Sequence, residues 1–218
     1  WQRATTVNGT YANVTNATPT GVTYSGATSA TLSVITSGTT ASGSANFYRC
    51  VVTNSGCTVT SNGAQLTVNN YCTPTGTTST SYYMSKVSTT NGVSNFTNSS
   101  TLSTGGYANY AATTSCSQYR GYTVSVSLTS ASQDDYYYCW IDWNNNGSFT
   151  DAGETIFATT SYSAGYTGTV TVPSGQAYGN YRMRVANSYS GVINSCGPNT
   201  NGEYEDYTFS VIPTPACS

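Results

Sequence analysis

The stretch Cys139–Glu154, CWIDWNNNGSFTDAGE, decides the fold of the longer part of the chain, together with Gly202–Phe209, GEYEDYTF. The chain has only 6 Lys and Arg and 8 Asp and Glu in 218 residues. Six of the eight acids lie in these two stretches: Asp142, Asp151, Glu154, Glu203, Glu205 and Asp206. Charges this scarce and this concentrated indicate that the two stretches hold the most important structural or binding site.

The composition predicts an all-β fold. Charged residues make up 6% of the chain, whereas about 25% is usual, and no stretch has helical periodicity. Short β-prone runs alternate with turn clusters at the spacing of β-sandwich strands, about 8 to 12 residues. Tyr71–Pro74, YCTP, is followed by TGTTSTS and favours a domain boundary. We therefore expect two antiparallel β-sandwich domains, residues 1–70 and 71–212, and a linker at residues 213–218.

Several function classes find no support in the sequence. The formal net charge is −2 and Lys86 is the single lysine, so the chain is poorly suited to nucleic acid or an anionic membrane surface. No apolar run approaches the roughly 20 residues that span a bilayer. The chain has no His, which excludes Ser–His and Cys–His nucleophiles, and it has no phosphate-binding glycine motif. We expect a protein that is not an enzyme and does not insert into membranes.

Cysteine usage indicates an oxidising compartment. There are seven cysteines: Cys50, Cys57, Cys72, Cys116, Cys139, Cys196 and Cys217. They lack the paired spacing of zinc ligands, so disulfides are the better interpretation and an extracellular location follows. Because seven is odd, at least one sulfur is free or is paired outside the chain.

The first acidic stretch supports two interpretations. It follows the D-x-N-x-N-G opening of an EF-hand loop and supplies oxygen atoms that suit Ca²⁺. The candidate ligands are Asp142, Asn144, Asn146, Asp151 and Glu154. The stretch departs from that loop at its twelfth position, which is Gly153, and no flanking helices are predicted. The other interpretation is a long β-loop capped by Asx-turns without a metal.

The second acidic stretch offers partners for a pair of arginines. Arg182 and Arg184 are two residues apart in a predicted strand and share a face, as do Glu203 and Glu205. If the strands are neighbours, these groups, with Asp206, form structural ion pairs that fix the register. The functional alternative is a carboxylate pair for glycoside hydrolysis, which requires a separation of about 5 to 9.5 Å. Structural pairing is the preferred interpretation.

Tyrosines and glycosylation sequons are also abundant. The 20 tyrosines suit sugar stacking or self-association when exposed, but they also fill the core of a sandwich that is poor in Leu and Phe. Candidate glycosylation sites in N-x-S/T sequons are Asn8, Asn13, Asn16, Asn95 and Asn98, and a sixth sequon begins at Asn146.

The second part of the chain resembles the GEVED domain of secreted and cell-surface bacterial proteins. The matching blocks are YCTP at Tyr71–Pro74, WIDWNNNGSFTDAGE at Trp140–Glu154, YRMRV at Tyr181–Val185 and GEYEDYTFSV at Gly202–Val211. The motif that names the family reads GEYED here, with Tyr204 in its middle position. The resemblance implies a β-sandwich accessory module of surface adhesins or secreted hydrolases, for which no catalytic activity is established.

The first part resembles the second half of a bacterial immunoglobulin-like repeat. The similar stretches are the initial WQ, Ser25–Val34, Phe47–Cys57 and Ser61–Val68. In such repeats the Trp lies on the third strand, so we expect an immunoglobulin-like sandwich that lacks its first strands. Pro213–Ser218 resembles the opening of the same kind of repeat, which would let one copy complete the next head to tail.

Further expectations follow from these resemblances. Cys72 should pair with Cys196, since both lie in blocks typical of the GEVED domain, and Cys116 with Cys139, which are both additions to it. Candidates for disulfides between units are Cys50, Cys57 and Cys217. The expected function is a non-enzymatic structural module of a filament or long surface adhesin, completed by a strand from another copy. The alternative is a carbohydrate-binding module of a secreted hydrolase, with surface glycans as partners.

Overall fold

The computed structural model confirms the all-β class. It describes residues 1–36, 46–66, 71–191 and 193–215, and in these ranges there is no α-helix, only one 3₁₀ turn at Thr104–Gly106. No helix in the described part of the chain is long and apolar enough to cross a membrane. The chain divides into two compact units, Trp1–Asn70 (unit 1) and Tyr71–Ser218 (unit 2).

Unit 1 consists of short strands. They are β1 (Gln2–Ala4), β2 (Ala12–Asn13), β3 (Val22–Ser25), β4 (Ser33–Thr36), β5 (Asn46–Arg49), β6 (Val51–Asn54), β7 (Cys57–Thr60) and β8 (Ala64–Leu66). One antiparallel sheet has the order β2-β1-β5-β8, and β3-β4 and β6-β7 form separate hairpins. Two-stranded hairpins are only marginally stable in water unless they pack on other structure.

The core of unit 1 is small. Its buried cluster contains Val22, Tyr24 and Tyr48, and the two tyrosine hydroxyls are 3.1 Å apart. Apolar side chains remain exposed on the hairpins, with Ile35 54% exposed and Val59 72% exposed. Because such a core buries little apolar area, the described part of unit 1 gains little hydrophobic stabilisation.

Unit 2 is a sandwich of two larger sheets. Its strands are β9 (Met84–Thr90), β10 (Thr97–Ser99), β11 (Tyr107–Asn109), β12 (Ser115–Tyr119), β13 (Thr123–Ser130), β14 (Tyr136–Ile141), β15 (Thr155–Ala158), β16 (Gly165–Thr171), β17 (Gly179–Ser188) and β18 (Tyr204–Ile212). The smaller sheet has the order β10-β9-β13-β16. The larger has the order β11-β18-β17-β14-β15, with β12 also paired to β18. Strands β11 and β12 run parallel to β18, and the other pairs are antiparallel.

Every second side chain of these strands points into the core between the two sheets. In β13, Val124, Val126 and Leu128 are buried, as the pattern YTVSVSLTS predicts. They join Cys139 and Phe209 of the larger sheet in one cluster. Each fully buried Val, Leu or Phe contributes about 1.5–3 kcal/mol of hydrophobic stabilisation.

The opposite face of the larger sheet is also buried. Residues that alternate with the first core, such as Tyr138 and Trp140, form a second cluster with Phe149 and Tyr204. Phe149 comes from the loop that follows β14. This loop therefore covers the face of the sheet that carries Arg184 and Asp206.

Candidate functional site

A buried ion pair lies on the covered face of the larger sheet. Arg184 of β17 is directly opposite Asp206 of β18 in the antiparallel register. The Nε atom of Arg184 is 2.7 Å from Oδ1 of Asp206, and its Nη2 is 2.8 Å from Oδ2. Both side chains are 0% exposed. The pair is thus bidentate and fully removed from water.

The other donors of Arg184 bind backbone atoms near the disulfide. Its Nη1 donates to the carbonyl of Ser195 at 2.7 Å, and its Nη2 donates to the carbonyl of Cys72 at 2.9 Å. The guanidinium also lies 4.9 Å from the ring centre of Phe149. Burial opposes the charged form, but the hydrogen bond and charge of Asp206 raise the pKa of Arg184. The guanidinium therefore stays charged and connects three segments of the chain.

Asp206 is the partner of both arginines. Arg182 Nη1 lies 3.1 Å from Asp206 Oδ2, so the predicted pairing is found for Asp206. The predicted pairing with Glu203 and Glu205 is wrong. Glu205 is opposite Val185 rather than an arginine, and successive residues of a strand point to opposite faces.

Glu203 and Glu205 instead bind uncharged donors on the inner face. Glu203 accepts the backbone N–H of Met84 at 3.1 Å and of Ser103 at 2.8 Å. Glu205 accepts the hydroxyls of Ser100 and Tyr207. Burial raises the pKa of Glu203, and it raises the pKa of Glu205 to about 7. Both residues are 0% exposed, so neither carboxylate can reach a glycosidic bond in this structure.

The acidic loop after β14 is folded around the carboxylate of Asp142. Its Oδ1 accepts the N–H of Asn146 at 3.1 Å, and its Oδ2 accepts the N–H of Gly147 at 2.9 Å. The sharp turn places Asn145 and Gly147 at φ of 55° and 86°, a region in which Asn and Gly are favoured. Tyr71 OH also donates to Asp142 Oδ2 at 2.7 Å.

The remaining predicted calcium ligands lie in the same loop. Asp151 Oδ2 accepts the side-chain amides of Asn144 at 2.9 Å and Asn146 at 2.6 Å, and these bonds lower the pKa of Asp151. Glu154 accepts the N–H of Trp143 at 3.1 Å and of Asp151 at 3.2 Å, while burial raises its pKa. The part of the chain that the structure describes contains no group of three or more His, Cys, Asp or Glu arranged to hold a metal. These hydrogen bonds are the ones expected of a β-loop capped by Asx-turns. Calcium binding by the loop stays a prediction.

Tyr71 was missed by the sequence analysis although it connects both features. Its ring centre lies 4.6 Å from the guanidinium of Arg182, and its hydroxyl binds Asp142. Burial, followed by the hydrogen bond to Asp142, raises the pKa of Tyr71. The only sequence signal was its position beside Cys72 in the YCTP block. Tyr107 plays a similar part, since its hydroxyl donates to Asp206 Oδ2 at 2.9 Å.

The cysteine predictions have different outcomes. The Cys72–Cys196 disulfide is confirmed, with an S–S distance of 2.02 Å and a Cα–Cα distance of 5.8 Å. The predicted Cys116–Cys139 bridge is wrong, because both are buried free thiols. Cys116 lies on β12 and Cys139 on β14, so β18 and β17 separate them in one sheet. Adjacent strands are about 4.8 Å apart, whereas a disulfide needs Cα atoms within about 7 Å.

The candidate cysteines for disulfides between units lie in unit 1 and at the chain end. Cys50 is half-buried and Cys57 is exposed, and both are free thiols. Cys217 lies outside the described residues. Their pairing with other copies stays a prediction.

The sequons differ in accessibility. Asn8, Asn13, Asn16 and Asn95 are exposed. Asn98 is half-buried, and its side-chain amide donates to Tyr207 OH at 2.8 Å. Because Asn98 is less accessible, the exposed sequons are better candidates.

Most of this site lies in a stretch that matches a protein-family model. A model of the GEVED domain matches residues 136–210. The GEVED match begins at β14 and ends within β18, and so contains the acidic loop, both arginines and the GEYED sequence. It covers about a third of the chain and does not extend to unit 1, for which no family match supports the immunoglobulin-like resemblance. A search of curated proteins found no match.

Proposed function

We propose that the chain is a non-enzymatic structural module of an extracellular filament or long surface adhesin, and that unit 1 is completed by a strand from another copy. The observation that carries the proposal is the free edge of β4, whose only partner among the described strands is β3. An unpaired edge offers N–H and C=O groups to an added strand. The exposed Ile35 on β4 would be covered by such a strand.

The rigid core of unit 2 supports a structural role. Several of its buried charged residues make internal contacts: Arg184 binds Asp206, and Glu203 and Glu205 bind neighbouring segments. These contacts, with the Cys72–Cys196 disulfide, hold the strands of the GEVED match in register. Buried contacts of this kind raise the free energy of local unfolding, which suits a structural module.

The chemistry of the cysteines supports assembly outside the cell. The disulfide and the GEVED match are consistent with an extracellular protein. Cys50 lines a cavity of about 310 Å³ with Trp1 and residues 27–30 and 51–53. A cysteine on the added strand, such as Cys217 of another copy, would reach Cys50 in this cavity and make the contact covalent. A head-to-tail contact of this kind gives an open filament.

Size measurements on the full chain test the assembly. We expect the mass from light scattering to rise with protein concentration, and a chain ending at Ile212 to remain monomeric because it lacks residues 213–218. A chain with residues 213–218 in scrambled order is the matched control and should also remain monomeric. A monomer at all concentrations, with the first 70 residues protected from protease, would overturn the proposal.

Carbohydrate binding is the second candidate function, and a strip of tyrosines in unit 2 favours it. The ring centres of Tyr136 and Tyr162 are 4.3 Å apart, those of Tyr162 and Tyr189 5.6 Å, and those of Tyr189 and Tyr82 5.3 Å. Tyr162 and Tyr189 are 48% and 42% exposed. Exposed rings that already pack on one another stack on sugars at low entropic cost.

Polysaccharide pull-downs separate the two functions. On this alternative, Tyr162→Ala and Tyr189→Ala reduce retention on insoluble polysaccharide, whereas Tyr122→Ala, an exposed tyrosine outside the strip, does not. Equal retention of all three variants would exclude the strip as the binding surface.

A further inference from the structure

The Cys72–Cys196 disulfide has two chemically different ends. Cys196 is exposed, whereas Cys72 is half-buried. On the Cys72 side, Nη1 of the fully buried Arg184 lies 3.1 Å from Cys72 Sγ. Among the residues that the structure describes, no cation contacts the Cys196 sulfur, and the N–H of Cys196 donates to the side chain of Asn194 at 2.9 Å.

We propose that this disulfide is a directed thiol-exchange site, in which an external thiolate enters at Cys196 and Cys72 leaves as a thiolate bound by Arg184. This site lies entirely within unit 2 and is distinct from the strands of the proposed assembly. The co-reactant class is a small thiol or an accessible cysteine of another protein chain.

The exchange conserves electrons. The attacking thiolate forms a bond to Cys196 Sγ as the Cys72–Cys196 bond breaks, and the electron pair of that bond goes to Cys72 Sγ. The products are a mixed disulfide at Cys196 and a thiolate at Cys72. No net oxidation occurs, so no additional oxidant is needed. A second thiolate attacking the mixed disulfide would complete the reduction.

Access and leaving-group stability favour the same direction. An attacking sulfur must approach along the S–S axis, and at Cys72 this approach is limited by burial. A sulfur leaves faster when its thiol pKa is low, and a neighbouring arginine lowers that pKa. Arg184 already points a donor at the sulfur that would gain the charge.

Other charged groups near Cys72 do not prevent Arg184 from stabilising a Cys72 thiolate. Asp206 binds Arg184, but it also binds Arg182, so two guanidiniums contact one carboxylate. The charge of Asp142 is engaged by Tyr71 OH and by the N–H groups of its own loop. The Arg184 donor therefore remains available to a thiolate.

The direction of exchange is measured on the full chain with Cys50, Cys57 and Cys217 changed to Ser. Limiting reduced glutathione is added, the reaction is quenched with N-ethylmaleimide, and the modified cysteines are mapped by mass spectrometry. We expect glutathione on Cys196 and maleimide on Cys72 at least about tenfold more often than the reverse. An even distribution, or glutathione mainly on Cys72, would overturn the proposal.

A matched pair of variants, each of which keeps one cysteine of the disulfide, tests the role of Arg184, with the buried thiols of Cys116 and Cys139 common to both. In the same background, Cys196→Ser leaves Cys72 as a thiol, and Cys72→Ser leaves Cys196. Alkylation rates measured against pH should give Cys72 a pKa at least about one unit below that of Cys196. An equal or higher pKa for Cys72 in a folded variant contradicts the proposal. If Cys196→Ser does not fold, the positions of glutathione and maleimide mapped in the disulfide-bonded chain decide whether the proposal holds.

Discussion

Arg184 and Asp206 face each other across β17 and β18, and both are completely buried in a protein that has very few charges. A buried ion pair adds little net stability, because desolvation offsets the attraction between the charges. Loss of one partner is costly, however, since it leaves the other charge buried and unpaired. The pair therefore acts mainly as a constraint on which strands meet and in which register.

The first prediction concerns removal of one partner. Asp206→Ala should lower the free energy of unfolding by about 3–5 kcal/mol, because Arg184 then remains buried without a counter-charge. Asp134→Ala is the matched control, since Asp134 is exposed and its removal should change stability by less than about 0.5 kcal/mol. Urea denaturation measures both. Equal, small effects of the two changes would show that the charge of Arg184 is not trapped in the interior.

The second prediction concerns pH. Burial raises the pKa of Glu205 to about 7 from an ordinary 4.5. Between these values the folded state binds more protons than the unfolded state. The contribution of Glu205 to the free energy of unfolding is therefore complete below about pH 4.5 and is lost as pH rises through 7. Glu205→Gln should reduce this decline, since an amide does not titrate, and should leave the part that Glu203 and Glu154, whose pKa values burial also raises, contribute. Denaturation from pH 4.5 to 8 measures it, and an unchanged slope in the variant would contradict the assignment to Glu205.

The sequence could predict the fold class because the relevant signals are local. Alternation in Thr123–Ser130 gives a half-buried strand with Val124, Val126 and Leu128 inside, and the structure has this pattern. The Cys72–Cys196 disulfide followed from the resemblance of two blocks to one family and is also confirmed. Neither result required knowledge of the strand order.

The predictions that failed required knowledge of the strand order and register. A shift of one residue in register exchanges the two faces of a strand, so composition could not tell whether Glu205 or Asp206 meets Arg184. The Cys116–Cys139 bridge failed because β12 lies beside β18 in a parallel arrangement, which the local sequence does not encode. Tyr71 was missed because its partners, Arg182 and Asp142, are more than 70 residues away.

The third prediction separates the two interpretations of the acidic loop. If Ca²⁺ is bound by Asp142, Asn144, Asn146 and Asp151, with Glu154 as a further ligand, then chelator lowers the melting temperature. Asp142→Ala should abolish this response, and Asp134→Ala, outside the loop, should retain it. Calorimetry with added Ca²⁺ and with chelator measures the effect. A melting temperature indifferent to both would show that the loop is stabilised by its hydrogen bonds alone.

The last prediction concerns Gly202, the glycine that begins the GEYED sequence. A Cβ atom on Gly202 would overlap the carbonyl group of Asn187, whose carbon would be only 2.9 Å away, and would also meet the side-chain amide of Asn199. The backbone cannot move away easily, because Gly202 O accepts the N–H of Thr77 at 2.8 Å. Gly202→Ala should therefore cost about 1–3 kcal/mol of stability through overpacking.

Gly175 provides the matched control for this change. No atom lies within 4 Å of a Cβ built on Gly175, so Gly175→Ala should be neutral or slightly stabilising through reduced entropy of the unfolded chain. Thermal denaturation of the two variants gives the comparison. Equal melting temperatures would mean that the connection between β17 and β18 accommodates an added methyl group, and that close packing does not explain the glycine.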